Sequence, residues 1–268
     1  MLKSVSAIGS REAAFLQILA GSGKNIFSLE DALAYWGNAH HARIAVHRLI
    51  KKGWLKLLER GTYLLVPLEA GRERQWTEDP YVIATVLADP AVIAYWSAIR
   101  HWGWTEQIPR ILYVQTTMRK NRPKRTILGV EYEFVTVPNS KMYGGIREWR
   151  GATPVIIADR EKTLVDCADD VQRAGTIEEL SKAVRAGIRE VSWQKLHDYV
   201  VRFPNGAVPK RLGYLIETLI PELPPVATRI LSHWQKHLNT GVVLLQPQVQ
   251  RRGPISTRWR VQANVRVA

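Results

Sequence analysis

The sequence predicts an α+β fold, in which helices and strands occupy different parts of the chain. Three observations support this class. Near the N-terminus, apolar residues recur at helical spacing behind capping residues, and a pair of short strand-like stretches follows them. Strand-like stretches dominate the middle of the chain, and amphipathic helical stretches dominate from about residue 159 onward. Because these blocks follow one another, we expect a mixed sheet accompanied by a separate cluster of helices.

Two predicted helices open the N-terminal segment. Ser10 is a plausible N-cap for a helix over residues 11–19, which carries an apolar stripe. Ser28 is placed to cap a second helix over residues 29–35, whose first turn contains acidic residues that the helix dipole favours. Both helices are short, so their stability depends on packing an apolar face against other elements.

A third helix and a hairpin complete this segment. A Gly-Asn turn at 37–38 precedes the helix, and Gly53 ends it, since glycine suits the left-handed conformation found at helix ends. Strand-like stretches over 54–58 and 62–66 follow, joined by a tight turn. Three helices and a hairpin in so short a stretch are typical of a winged helix-turn-helix, so we predict a first domain over residues 1–67.

The third helix has two chemically different faces. On a helical wheel, four basic or titratable side chains fall within an arc of about 80°, and apolar side chains collect on the opposite side. The apolar side can pack against a core, whereas the polar side offers donors that suit phosphates and base edges. The polar side comprises His40, Arg43, His47 and Lys51 with Ile44 beside them, and the apolar side comprises Ala42, Ala45, Val46, Leu49 and Ile50.

The overall charge narrows the class of partner. The 268 residues carry a formal net charge of +14, with a sequence pI near 10.1, which favours nucleic acid or an acidic membrane surface. No apolar run approaches the roughly 20 residues of a membrane span, and the N-terminus lacks the apolar segment of a secretory signal. Cys167 is the single cysteine, so no internal disulfide forms and a cytoplasmic location is expected.

These features lead to the hypothesis that the N-terminal domain reads duplex DNA. Arg43 is the best candidate for a guanine edge, because a guanidinium can contact O6 and N7 together. Ile44 is expected at a thymine methyl group. His40 and His47 are expected at bases or phosphates, Lys51 and Lys52 at phosphates, and Arg60 with Lys56 at the backbone or the minor groove. The alternative is that this helix face is merely solvated, as charged stripes often are.

Residues 68–79 are predicted to form a polar linker, and residues 80–268 a larger mixed α+β domain with a C-terminal helical cluster. Pro80 suits the first turn of the next helix. Helices are predicted over 81–88, 91–101, 160–170, 180–186, 193–201, 209–220 and 227–237. Strands are predicted over 111–117 and 154–158, residues 127–137 form either one strand or a hairpin, and 119–125 form a basic loop. Two strand-like stretches, 242–245 and 258–267, lie in the tail. The Trp-rich stretch around 96–104 is expected to lie in the core rather than to stack on bases.

Several stretches resemble the AbiEi family of antitoxins from type IV toxin–antitoxin systems. These are ADPAVIAYWSAIRHWGWTEQIP, VIIADREKTLVDC and PKRLGYLIE, in that order and behind an N-terminal winged helix. The resemblance extends from about residue 10 to about residue 220, and the tail beyond Pro224 matches nothing. The residues that carry the family pattern are Asp159, Glu161, Lys162, Leu164 and Asp166, followed by the anchor Arg211-Leu212-Gly213.

The resemblance implies a function in two parts. The N-terminal domain would bind an operator upstream of its own operon and repress it. Separately from the resemblance, the short footprint of a single winged helix favours two copies on an inverted repeat. The C-terminal domain would counter a toxin similar to nucleotidyltransferases, without a tight complex. No cofactor, metal or membrane is implied, and the chain is expected to be a monomer or a weak dimer off DNA.

Two other functions remain open. A nuclease-like enzyme could use the winged helix for targeting, but Arg160 stands where a (D/E)-x-K triplet needs an acid. A plain winged-helix transcription factor is the other alternative. The segment 159–166 is therefore interpreted as structural, as a surface used against the toxin, or as catalytic. The histidines His101, His197, His233 and His237 do not form a recognisable metal motif.

The arginines of the tail also allow two interpretations. They either decorate a solvated terminal strand or form a second patch for polyanions. This set comprises Arg251, Arg252, Arg258, Arg260 and Arg266, with no acidic residue after position 240.

Overall fold

The computed structural model describes residues 8–71 and 76–267 and divides the chain into two compact units. The first comprises Met1–Leu87, Ile127–Gly129 and Arg150–Thr153, and the second comprises Ala88–Thr126, Val130–Trp149 and Pro154–Ala268. Helix and strand together give the expected mixed α+β class. The boundaries expected from the sequence, 1–67, 68–79 and 80–268, stay a prediction about separable domains.

The first unit has the winged helix-turn-helix arrangement that the sequence predicted. Its three strands form a small sheet in the order β1-β3-β2, and both strand pairs are antiparallel. Strand β1 was not predicted, because three residues are too few to show a period. The elements are α1 (Ser10–Gly21), β1 (Ile26–Ser28), α2 (Leu29–Trp36), α3 (Ala39–Lys51), β2 (Leu55–Glu59), β3 (Thr62–Leu65) and α4 (Pro80–Leu87).

Side-chain caps fix where these helices begin. The Ser28 hydroxyl accepts a hydrogen bond from the Asp31 amide at 3.2 Å, and the Asp31 carboxylate accepts one from the Ser28 amide at 2.8 Å. This reciprocal pair is a capping box. The predicted cap at Ser28 is therefore confirmed, and Asp31 adds a bond that was not predicted. The prediction for Ser10 was wrong by one position, because Gly9 is the N-cap and the Glu12 carboxylate accepts from its amide at 3.3 Å.

The second unit is built on a six-stranded mixed sheet in the order β6-β7-β5-β4-β9-β8. Strands β5 and β7 are parallel, β4 is antiparallel to β5, and β4 is parallel to β9. The strands are β4 (Val92–Ile93), β5 (Ile111–Thr116), β6 (Lys124–Ile127), β7 (Val130–Thr136), β8 (Gly145–Arg150) and β9 (Thr153–Ala158), with α5 (Tyr95–His101) between β4 and β5.

Three predictions for this sheet need correction. The helix expected over 91–101 begins only at Tyr95, since Val92 and Ile93 pair with β5. Strand β8 was missed because its charged and polar residues show little apolar alternation. The basic loop ends at Lys124, where β6 begins and forms the edge of the sheet.

Five helices make up the predicted cluster, and α6 lies in contact with α7, α8 and α9. Every residue from Glu161 to Ala168 of α6 is buried. Among the tryptophans expected in the core, Trp104 is buried and Trp96 and Trp102 are half-buried. The helices are α6 (Arg160–Asp169), α7 (Ile177–Gly187), α8 (Trp193–Arg202), α9 (Ala207–Leu219) and α10 (Pro225–Lys236).

The tail folds into a second small sheet with β10 (Val243–Leu244), β12 (Val261–Gln262) and β11 (Ile255–Ser256) in that order. Trp259 is only 1% exposed and packs so closely on Gly213 that a Cβ there would meet the indole at 2.1 Å. The Arg258 guanidinium donates hydrogen bonds to the Glu217 carboxylate at 2.8–3.0 Å, and the Arg260 guanidinium donates to the Leu238 carbonyl at 2.9 Å. Two of the five arginines are therefore engaged within the unit, while Arg251, Arg252 and Arg266 are exposed.

No helix in the described ranges is both long and apolar enough to span a bilayer.

Candidate nucleic-acid interface

Helix α3 is placed by its two ends and its buried face. The Asn38 side chain accepts hydrogen bonds from the His40 and His41 amides at 2.8 and 3.3 Å, which caps the N-terminus. Gly53 has a positive φ of 76° and allows the chain to turn out of the helix into β2. The apolar face packs in the unit's core, with Ala42 and Leu49 fully buried.

The opposite face of α3 is open to solvent. His40, Arg43, His47 and Lys51 are all exposed, and Ile44 is 36% exposed beside them. Within the described ranges, no ion pair engages the side chains of Arg43, His47 or Lys51. The structure thus brings together the face that the sequence predicted. We refer to these five residues as the α3 face.

The wing contributes less charge than expected. Arg60 is exposed at the turn, where Gly61 has a positive φ of 85°. Lys56 is half-buried, and its ammonium makes a short hydrogen bond to the Trp76 carbonyl. Leu57 was not among the predicted contact residues. It is 53% exposed on β2 and gives the wing an apolar contact surface.

Lys52 differs from its neighbour Lys51, although both were expected at phosphates. Its ammonium lies 2.7 Å from the Glu12 carboxylate, and the two side chains are only 22% and 10% exposed. Burial by itself would raise the pKa of Glu12, but the hydrogen bond from Lys52 contributes to holding it below its usual value. Lys52 therefore joins α3 to α1.

The family-pattern residues of the second unit form a buried polar cluster at the start of α6. Asp159 caps the helix by accepting from the Lys162 amide at 2.8 Å, and it also accepts from the Tyr199 hydroxyl at 2.9 Å. Glu161 accepts from the Ser192 amide at 2.7 Å. The Lys195 ammonium lies 3.1 Å from both carboxylates and so bridges them. Lys195 and Tyr199 lie on α8, and sequence reasoning did not connect them with this cluster.

Lys162 and Asp166 form an ion pair in the interior, with both side chains only 1% exposed. The i,i+4 spacing by itself suggests a pair worth a few tenths of a kcal/mol, as on an exposed helix, but this pair is covered by the surrounding elements. The rings of Tyr143 and Phe203 lie 5.1 and 5.8 Å from the ammonium. Burial raises the pKa of Asp166 to about 6, although the Lys162 ammonium opposes that shift.

Arg211, the last of the residues singled out by the resemblance, lies at the C-terminal end of α6. Its guanidinium donates to the carbonyls of Ala168 and Asp169 at 2.7 and 3.2 Å, which are acceptors left open where a helix ends. It also donates to the Leu244 carbonyl at 3.0 Å and so ties β10 to the helix. Asp159, Glu161, Lys162, Asp166 and Arg211 are all buried and bonded within the unit.

The histidines do not assemble a metal centre among the described residues. His197, His233 and His237 do lie together, with ring centroids 5.0 and 4.2 Å apart along the series. However, the Trp234 indole donates to His197 Nδ1 at 3.0 Å. A neutral His197 then carries its proton on Nε2, and that nitrogen is unavailable to a metal. His101 instead lies 3.0 Å from the Glu148 carboxylate.

Fold and surface together define the first unit as a winged-helix domain whose α3 presents a cationic face. Residues 15–66, roughly a fifth of the chain, match the family described as "Transcriptional regulator, AbiEi antitoxin". The resemblance of the residues beyond 66 to the same family stays a prediction. No curated protein matches the sequence.

The whole chain also has a structural relative. The crystal structure of the RV2827C protein from Mycobacterium tuberculosis is similar with a TM-score of 0.67, over 97% of this chain and 94% of that one. The two sequences are only 16% identical, so the likeness concerns the fold.

The buried pair can be tested by a double-mutant cycle. Asp166→Leu leaves an unpaired ammonium in the interior, so we expect a loss of about 3–5 kcal/mol in the free energy of unfolding, and a similar loss for Lys162→Met. The double variant should recover most of that loss, because a buried ion pair is often replaceable by apolar side chains. Urea unfolding of the four proteins measures the coupling.

A matched control is the exposed pair Arg160 and Glu190, which lie 2.9 Å apart with side chains 42% and 43% exposed. Its cycle should yield less than about 1 kcal/mol. Equal coupling energies in the two cycles would contradict the importance assigned to burial.

Proposed function

We propose that this protein is a sequence-specific, DNA-binding autorepressor and the antitoxin of a type IV toxin–antitoxin operon. The observation that carries the DNA-binding half is the α3 face, which is cationic, exposed and presented by a helix whose other side is fixed in a core. The family match over 15–66 supports a regulator. Binding to its own operator would place the protein in the cytoplasm.

Within this proposal, each exposed residue has a distinct role. Arg43 reads a guanine edge, Ile44 contacts a thymine methyl group, and His40 and His47 lie at bases or nearby phosphates. Lys51 at the end of α3 and Arg60 at the wing tip contact the phosphate backbone. Lys52 and Lys56 are left out of this surface, since Glu12 and the Trp76 carbonyl already engage their ammonium groups.

A single winged helix covers a short site, so we propose that two copies occupy an inverted repeat. The second unit would supply antitoxicity against a toxin similar to nucleotidyltransferases. The buried, internally bonded state of Asp159, Glu161 and Asp166 supports a structural role for them rather than metal-assisted cleavage. No cofactor is part of this proposal.

The proposed reading residue can be tested with the DNA upstream of the operon. Arg43→Ala should weaken operator binding by about 1–3 kcal/mol, because a bidentate base contact is lost, and should relax the preference for operator over scrambled DNA. Fluorescence anisotropy titrations on both duplexes measure the two effects. Arg189→Ala removes the same charge from an exposed site in the second unit and serves as the control. Unchanged operator affinity in Arg43→Ala would remove the assigned role.

Lys51 and Lys52 provide a second, matched test. Lys51→Ala should weaken all duplexes alike and reduce the slope of log K against log salt by about 1, as expected when one phosphate contact is lost. Lys52→Ala should leave that slope unchanged but lower the free energy of unfolding, since it breaks the contact with Glu12. A salt slope that falls in both variants would contradict this division of roles.

The antitoxin half has its own experiment. Induction of a neighbouring nucleotidyltransferase-like gene should arrest growth, and co-expression of this chain should restore it. If the antitoxin acts without a tight complex, affinity purification of the toxin should not retain this chain. Arg43→Ala should still restore growth, because it alters only the DNA-reading surface. Failure of the wild-type chain to restore growth would reject antitoxicity while leaving DNA binding intact.

A further inference from the structure

The outer side of α10 carries a shallow cleft of about 380 Å³ in the second unit. Two hydroxyls, a guanidinium, an imidazole and an ammonium group line it, and all of them can donate hydrogen bonds. None of the lining side chains is a carboxylate. The lining residues are Thr228, Arg229, Ser232, His233 and Lys236.

Helical spacing brings the three basic side chains of the cleft together. Arg229, His233 and Lys236 fall within about 60° of one another on α10. Arg229 lies about one turn before Ser232 and His233, and Lys236 lies about one turn after them. The two long side chains can therefore close on a small ligand from opposite ends, with the hydroxyl and the imidazole between them.

The charge of this surface is not neutralised by acids. Helix α10 contains no acidic residue, and none follows Glu222 in the sequence. Within residues 8–71 and 76–267, no ion pair engages Arg229, His233 or Lys236. These side chains differ in this respect from Arg258, which is paired with Glu217. The cleft is thus complementary in charge to an anion.

Neighbouring histidines hold the His233 ring in place. The His197 ring meets it edge-on with centroids 5.0 Å apart, and the His237 ring stacks on it at 4.2 Å. His237 Nδ1 also lies 2.8 Å from the His233 carbonyl, which is one of the acceptors left open where a helix ends. A hydrogen bond donated there reduces the negative potential that the end of α10 would present to an anion.

We propose that this cleft binds the dianionic phosphate group of a small molecule, either inorganic phosphate or a phosphate monoester. The Arg229 guanidinium offers two parallel donors to two phosphate oxygens, and Lys236 supplies a second charge from the other end. The hydroxyls of Thr228 and Ser232 donate to the remaining oxygens, and His233 adds a third charge when it is protonated. Because the cleft is open to solvent, the dissociation constant is about millimolar. The site is independent of the function proposed above.

Binding of the dianion is linked to protonation of His233. Partial burial and three basic groups, His237 and Lys236 on α10 and His197 on α8, hold the pKa of His233 below its usual value. The acid of α8, Asp198, accepts a hydrogen bond from within that helix. A bound dianion favours the imidazolium and so raises the pKa of His233. Affinity for the dianion therefore increases as the pH falls and the free imidazole becomes protonated.

Sulfate is the probe for the test, because it remains a dianion from about pH 5.5 to 7.5 while His233 titrates. Amide chemical shifts of α10 in the full chain report its binding at constant ionic strength, with chloride as the balancing anion. Sulfate affinity should be about threefold higher at the lower pH. Arg229→Gln should weaken it at least about threefold, whereas the matched Arg189→Gln, an exposed site outside α10, should not. His233→Gln should keep sulfate binding at the higher pH and lose the increase at the lower one.

Inorganic phosphate, adenosine monophosphate and a duplex of unrelated sequence then distinguish the sources of the phosphate group. Tighter binding of adenosine monophosphate than of inorganic phosphate identifies a monoester, and binding that is no tighter identifies free phosphate. Duplex affinity should be the same in Arg229→Gln and Arg189→Gln. A loss of duplex binding confined to Arg229→Gln, with sulfate binding unchanged, would make this side of α10 a nucleic-acid surface and overturn the proposal. Shifts that chloride reproduces in full would also overturn it.

Discussion

The structure of the second unit depends on the burial of α6, because a helix covered along its length needs internal partners for most of the polar groups it carries. From Glu161 to Ala168 no residue of this helix is exposed. An unpaired polar group in such a place costs of the order of 1–3 kcal/mol, and an unpaired charge costs more. The neighbouring helices supply these partners: Lys195 and Tyr199 come from α8, and Arg211 comes from α9.

This constraint changes how the family-pattern residues are understood. A segment with two acids, a lysine and a further acid invites a catalytic interpretation when it is seen only as a string of letters. In the folded chain these groups bond to neighbouring parts of the same unit. Asp159 caps α6, Lys162 forms an ion pair with Asp166, and Glu161 accepts a hydrogen bond from the Ser192 amide at the start of α8. Their hydrogen bonds and ion pairs hold together the end of β9, helix α6 and the neighbouring helix α8.

Helix α3 in the first unit differs from α6 because one of its sides is exposed to solvent. Only its apolar side is buried, so its charged side chains need no internal partners and remain available to a ligand. Lys51 and Lys52 illustrate the difference within one helical turn. A step of 100° takes the second ammonium towards the Glu12 carboxylate, while the first remains in solvent. The position of a lysine relative to the core thus decides whether its charge supports the fold or the surface.

Local signals in the sequence determined a good part of this molecule. The cap at Ser28, the left-handed glycine after α3, the hairpin, and the two faces of α3 all depend on neighbours within a few residues, so spacing alone predicted them. What depends on distant partners escaped that reasoning. Strand β8 pairs by main-chain hydrogen bonds that no side-chain pattern reveals, and the spacing of Lys162 and Asp166 says nothing about what covers the helix, so their interpretation stayed open. Burial and charge pairing are properties of contacts between residues far apart in the chain, and only the tertiary structure decides them.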